Sequence, residues 1–163
     1  MRVIICGSRN WEGITARARI HNILGDLWAF ARALGQPLTI IHGDCPTGVD
    51  AIADAWARRR SDEGIQVRAW PAEWDRLGKA AGPVRNSNMA LAGADMCIAF
   101  LRDDSRGTKD MIYKAQARYI PTFVINWDPE EPDDDEPDDE TPEQVLAAFN
   151  RGVKRVTSPP LAA

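Results

Sequence analysis

Leu38-Thr39-Ile40-Ile41-His42-Gly43-Asp44-Cys45-Pro46-Thr47-Gly48-Val49-Asp50-Ala51-Ile52-Ala53-Asp54-Ala55-Trp56 is the stretch that decides the fold of this chain. It opens on an apolar run too short for a helix, stopped by His42-Gly43. A run of that length between turn signals reads as a buried strand. Beyond the glycine-bearing loop, Val49, Ile52, Ala53 and Trp56 fall at i, i+3, i+4 and i+7. That spacing gathers apolar side chains on one helical face. Arg58, Arg59 and Arg60 follow in the last turn, where positive charge complements the helix dipole.

The same order recurs on either side. Val3-Ile4-Ile5-Cys6 reads as a first strand ending at Gly7-Ser8, and Ile20, Leu24, Leu27, Trp28, Ala31 and Leu34 mark a helix within residues 14–34, ended by Gly35 and Pro37. Downstream, residues 65–70 alternate as a third strand, residues 71–83 read as irregular, and residues 85–91 as a helix closed by Gly93. Residues 96–100 form a fourth strand, Gly107-Thr108 open a helix through Arg118, and residues 122–125 form a fifth strand. Strands alternating with helices imply βαβ units with right-handed crossovers. The fold expected is therefore α/β: a Rossmann-like three-layer domain over residues 1–127 with a mainly parallel sheet of five strands or slightly more. In such sheets ligands lie beyond the carboxyl ends of the strands.

Residues 128–141 (DPEEPDDDEPDDET) hold ten of the 24 acidic residues and no basic one. Such a run has too little apolar area to offset its ordering entropy, so it reads as a disordered linker. Residues 142–163 read as a short helix, Pro142 to Asn150 with Thr141 as N-cap, and a tail. Without the acidic run the remainder is positive, which favours an anionic ligand. The chain has no apolar run of membrane length, and its N-terminus lacks the long apolar region and cleavage site of a signal peptide, so the location expected is the cytoplasm. Three cysteines and two histidines show no zinc spacing, so no metal or cofactor is expected. Cys6 and Cys97 read as reduced core residues, and Cys45 as a loop residue. Arginine outnumbers lysine sixteen to four, the bias of a GC-rich genome, and points to a bacterium or its phage.

Four strand-end clusters carry candidate chemistry. Gly7, Ser8 and Arg9 offer close backbone approach, a hydroxyl and a charged fork; Trp11 covers a base or packs under the first helix. His42, Gly43, Thr47, Gly48 and Asp50 surround a helix N-terminus, where free N–H groups favour phosphate. Thr47 and Asp50 also have the i to i+3 spacing of a capping box, and the two roles are compatible. Neither Walker A nor GxGxxG spacing is present. Arg85 and Asn86 bring a planar donor and an amide to a helix entry. Arg106, Gly107 and Thr108 form a second phosphate cradle, beside which Asp110 is either a carboxylate for acid–base work or a first-turn acid serving the dipole. Glu73 and Trp74, after the third strand, are candidates for a ribose hydroxyl and a base.

Together GSRNW, HGDCPTGVDAIADAWA, PAEWDRLGKAAGPVRNSNM and RGTKDM, spanning about Arg2 to Ile125, resemble the SLOG superfamily, and within it the YspA-like, YpsA-related branch. The resemblance implies a Rossmann-like fold and nucleotide-derived ligands such as NAD- or ADP-ribose-like molecules. More distantly the chain is similar to cytokinin-activating phosphoribohydrolases, which carry a PGGxGTxxE motif and an upstream arginine. Arg85 and Met89 match the arginine helix and Gly107-Thr108 the glycine–threonine pair, but Asp104-Ser105-Arg106 replaces PGG and Met111 stands at the glutamate. The resemblance implies phosphate on Thr47, Gly48, Gly107 and Thr108, with Arg85 stabilising negative charge. Asp110 would orient water or support an oxocarbenium-like sugar.

The function expected is binding of a nucleotide or nucleotide-derived ligand, with cleavage of its N-glycosidic bond as an added activity. The alternative is a non-catalytic sensor or sequestering protein, as in phage or defence systems. Nucleic-acid binding ranks third, because no aromatic–basic stripe or helix-turn-helix pattern is present. The resemblance also implies a homo-oligomer, a dimer or larger.

Overall fold

The computed structural model describes residues 1–127 and 154–155. In chain order the elements are β1 (Arg2–Gly7), α1 (Ile14–Ala33), β2 (Leu38–His42), α2 (Gly48–Arg58), β3 (Ile65–Ala69), a single turn α3 (Trp74–Leu77), α4 (Ala81–Leu91), β4 (Met96–Leu101), α5 (Arg106–Ala117), β5 (Thr122–Asn126) and β6 (Lys154–Arg155). The sheet order is β3-β2-β1-β4-β5-β6. The first five strands are mutually parallel, with Ile4 opposite Ile41 of β2 and Cys97 of β4. Strand β6 adds an antiparallel edge, Lys154 facing Val124. The expected α/β, Rossmann-like three-layer fold is the fold observed.

The period of two along each strand divides the core. Val3, Ile5, Leu38, Ile40, Ile98 and Phe100 pack against α1 and α2. Ile4, Cys6, Ile41, Cys97 and Ala99 face α4 and α5 on the other side. Buried on both faces, the central strands have to be continuously apolar, which is why their sequences lack alternation. Helix α1 stops as its sequence predicts: Gly35 takes φ +65°, and the Gly35 and Gln36 amides donate back to Arg32 and Ala31. Trp28 lies against the core and donates its indole N–H to Glu63, whereas Phe30 is exposed.

Two expectations need correction. Residues 71–83 are not irregular throughout, since α3 lies within them and α4 begins at Ala81 rather than Arg85. Pro83 stands third in that helix, where its missing N–H has no intrahelical acceptor to lose. The segment expected as a tail returns to the sheet as β6, while the acidic run and the expected helix over 142–150 lie outside the described residues. Among the described residues no helix is long and apolar enough to cross a membrane.

Candidate functional site

Strand order reverses at β1. Its chain neighbour β2 lies on one side and β4 on the other, so the loops leaving β1 and β4 diverge and open a crevice. A cleft of about 490 Å³ lies there. Its floor is Cys6 and Gly7 of β1 with the thioethers of Met89 and Met111. One wall is Gly43, Cys45 and Asp50 with Arg85 and Asn86; the other is Arg102 to Ser105 with Gly107 and Thr108. Arg9 and Asn10 form the rim.

Asp50 is the buried carboxylate of the cleft. Its Oδ2 accepts the Gly43 amide at 3.0 Å and the Cys45 amide at 3.3 Å, and Arg85 Nη1 lies 4.0 Å away. Burial pushes the carboxyl above its ordinary value, against the pull of those amides, of His42 and of Arg85. The capping box is thereby corrected. Thr47 is the N-cap residue but makes no side-chain cap bond, and Asp50 turns back to close the loop. Arg85 reaches across from α4 and donates through Nη1 to the Gly43 and Trp70 carbonyls, while its buried Nε has no partner among the described residues. A Cβ at Gly43 would overlap that guanidinium, so a side chain there would displace Arg85 from its present place.

The opposite wall is the N-terminus of α5. Ser105, its N-cap, makes no side-chain bond to a first-turn amide; its hydroxyl instead meets that of Thr108 at 2.9 Å. The first-turn amides are thus not taken by the cap, which leaves the positive end of a twelve-residue helix beside the cleft. A Cβ at Gly107 would meet nothing within 4 Å, so packing does not require that glycine. Arg102 reinforces the wall: it donates to the Asn10 carbonyl at 2.6 Å and stacks over Trp127 at 4.6 Å.

The remaining expected residues are placed differently. Ser8 is buried, and its hydroxyl both donates to the Arg102 carbonyl and accepts the Arg102 amide, which ties the β1 and β4 loops together. Arg9 is exposed on the rim. His42 is buried away from the cleft: Nδ1 accepts the Asp44 amide at 3.1 Å, which leaves the proton on Nε2 to donate to Asp54 at 3.0 Å. Thr47 and Gly48 line a second depression of about 390 Å³ with Trp11 and Arg17. They face that depression although Asp50, in the first turn of the same helix, lines the cleft. Trp11 is fully buried, edge-on to Phe100, and is not available to a base. Glu73 and Trp74 are exposed and do not line the cleft; Glu73 is paired with Arg76. Arg106 is exposed, whereas Gly107 and Thr108 line the cleft.

Asp110 does not line the cleft. Asn86 donates to it at 2.8 Å and to the Gly107 carbonyl at 3.2 Å, and Lys114 donates to Asp110 at 2.9 Å. Met111, one residue on, turns inward and is buried. Sequence reasoning passed over Arg102 and Asn10 as site residues. Arg102 follows a buried strand directly, and that position was its signal. Asp103 takes φ +54° in the same loop, beside the cleft. Among the described residues no group of three or more His, Cys, Asp or Glu is placed to hold a metal ion.

Comparison with known proteins bears on this geometry. The profile of the YspA, cpYpsA-related SLOG family matches residues 1–77. The "Gene 61 protein" of Mycobacterium phage D29 is 38% identical over 128 residues, covering 77% of this chain and 95% of the phage protein. No solved structure matches the chain.

Proposed function

The chain belongs to the YspA, cpYpsA-related SLOG family, and on that premise we propose that its cleft binds a nucleotide or nucleotide-derived ligand, phosphate towards the N-terminus of α5. The observation that carries this reading is Gly107. It lies in the first turn of an uncapped helix, it lines the cleft, and the fold does not need its missing side chain. Backbone amides with the positive dipole end are a general anion site, and Arg9 and Arg102 add charge around it. A cleft of about 490 Å³ suits a nucleoside monophosphate or one half of an NAD- or ADP-ribose-like molecule.

Calorimetric titration with AMP tests the reading, with Gly107→Asp as the control. That substitution puts a carboxylate where the phosphate is proposed, yet an acid in the first turn suits the helix. Affinity should fall at least on the order of tenfold while the fold is retained. Unchanged affinity in the Gly107→Asp protein would remove the phosphate from α5.

Binding without turnover is the reading favoured over N-glycosidic hydrolysis. The carboxylate expected to act, Asp110, is held by Asn86 and Lys114 outside the cleft, and a thioether occupies the inward position. AMP should be recovered intact by chromatography after prolonged incubation. Release of adenine and ribose 5-phosphate would make the protein a hydrolase.

A further inference from the structure

Three carboxylates line the cleft, and they are not equivalent. Asp104 is 83% exposed and paired with Lys109, and Asp103 is 73% exposed, taking the Asn10 amide at 3.0 Å. Asp50 is 8% exposed. Its three neighbours, the Gly43 and Cys45 amides and Arg85 Nη1, all approach one oxygen, Oδ2. The loop therefore uses half of the carboxylate. A neutral amide could close the same loop through its carbonyl oxygen without placing charge in a buried site. Burial of a charge is costly unless something is gained from it. The other wall of the cleft attracts an anion, and a phosphate there would be repelled by Asp50 if the ligand lay the other way round. With Arg85 4.0 Å from Oδ2 on the same wall, the arrangement favours a ligand with an anionic end at α5 and a hydrogen-bond donor facing Asp50.

We propose that Asp50 is the specificity residue of the cleft, its Oδ1 accepting a hydrogen bond from a ribose hydroxyl, so that the site takes ribonucleotides over analogues lacking those hydroxyls. This rests on the nucleotide reading above. A carboxylate whose solvation has been removed by burial gains most from a hydroxyl donor, and a site built around that bond rejects the ligand that cannot make it. Arg85 holds the acid in place from the opposite layer and is a positioning residue for it.

The test is titration of the full chain with AMP, 2′-deoxy-AMP and 2′,3′-dideoxy-AMP, repeated on Asp50→Asn. That variant retains a carbonyl oxygen for the two amides and turns an NH₂ towards the cleft. Unsubstituted protein should bind AMP on the order of tenfold or more tighter than the dideoxy analogue. In Asp50→Asn the ratio should fall to about one with the dideoxy affinity little changed, a pattern that loss of structure alone would not give. Equal affinities for AMP and the dideoxy analogue in the unsubstituted protein would overturn the assignment while leaving the phosphate reading intact, and this comparison needs no variant. A preference that survives in Asp50→Asn would also overturn it. Failure of all three nucleotides to bind would overturn both the assignment and the nucleotide reading.

Discussion

A carboxyl group whose pKa is raised by burial is easier to hold in the fold protonated than ionised, and Asp50 is such a group. The native state then binds its proton more tightly than the unfolded chain. Below the ordinary aspartate range both states are protonated and the group is neutral to stability. As pH rises through that range towards the native value, its contribution turns unfavourable, and it stays so above. His42 and Arg85 face the carboxylate and moderate the effect without reversing it. Asp50→Asn should therefore melt at a higher temperature than the unsubstituted protein near neutral pH, with the difference closing on acidification. Thermal melts from about pH 4 to about pH 8 would check this, and a constant difference would contradict it. Asp54 behaves in the opposite sense: although burial works against it, Arg58 and His42 hold its carboxyl below the ordinary value. It stabilises the fold at neutral pH, and that stability is lost as pH falls through the native value. Asp54→Ala would also leave the buried Nε2–H of His42 without its acceptor. Urea titration should show a loss of roughly 1–3 kcal/mol. Affinity for AMP should not change, since neither residue lines the cleft.

Among the elements, the end of β1 and the start of α2 approach closely through glycine. A Cβ on Gly7 would overlap Val49 and come within 2.7 Å of the Phe100 carbonyl. Gly48 has φ +67°, and a Cβ there would come within 2.6 Å of the Arg9 backbone. Gly48→Ala thus combines left-handed strain with a backbone collision and should lower stability by at least about 2 kcal/mol, measurable by denaturant titration. A neutral result would mean that the β1–α2 contact is loose. The strands and helices of this sandwich were legible in the sequence because apolar runs and helical spacing are local signals. The start of α4 was not, because Gly82-Pro83 reads as a breaker unless the helix is known to begin just before it. The inward position in α5 was recoverable: Thr108, Met111 and Ala115 share its buried face, which leaves Asp110 beside Lys114 on the flank. Spacing could not show that Asp50 turns back into its loop instead of capping with Thr47, since both reaches are equally short. Nor could it show that Thr47 and Gly48 open onto a separate depression while Asp50 of the same turn reaches the cleft, because that depends on how α2 packs on the sheet.

At the scale of the molecule the cleft joins the two layers, for Asp50 comes from the α2 side of the sheet and α5 from the other. A ligand held between them recognises only the assembled sandwich, and the unfolded chain offers it no site. Binding must then raise global stability by mass action, by about 2.7 kcal/mol at a hundredfold excess over Kd. For a chain of 163 residues that corresponds to a rise in Tm of roughly 5–10 °C with AMP. Two substitutions in one helix separate the site from its surroundings. Gly107→Asp should leave the ligand-free Tm near its original value and cut the shift to about half or less, the effect of a tenfold or greater loss of affinity. Asp110→Ala breaks the bonds to Asn86 and Lys114 and should lower the ligand-free Tm while retaining most of the shift. The reverse pattern, a shift lost with Asp110→Ala and kept with Gly107→Asp, would place the ligand against the flank of α5 instead of its N-terminus. The hydrolytic role of Asp110 would then return with it.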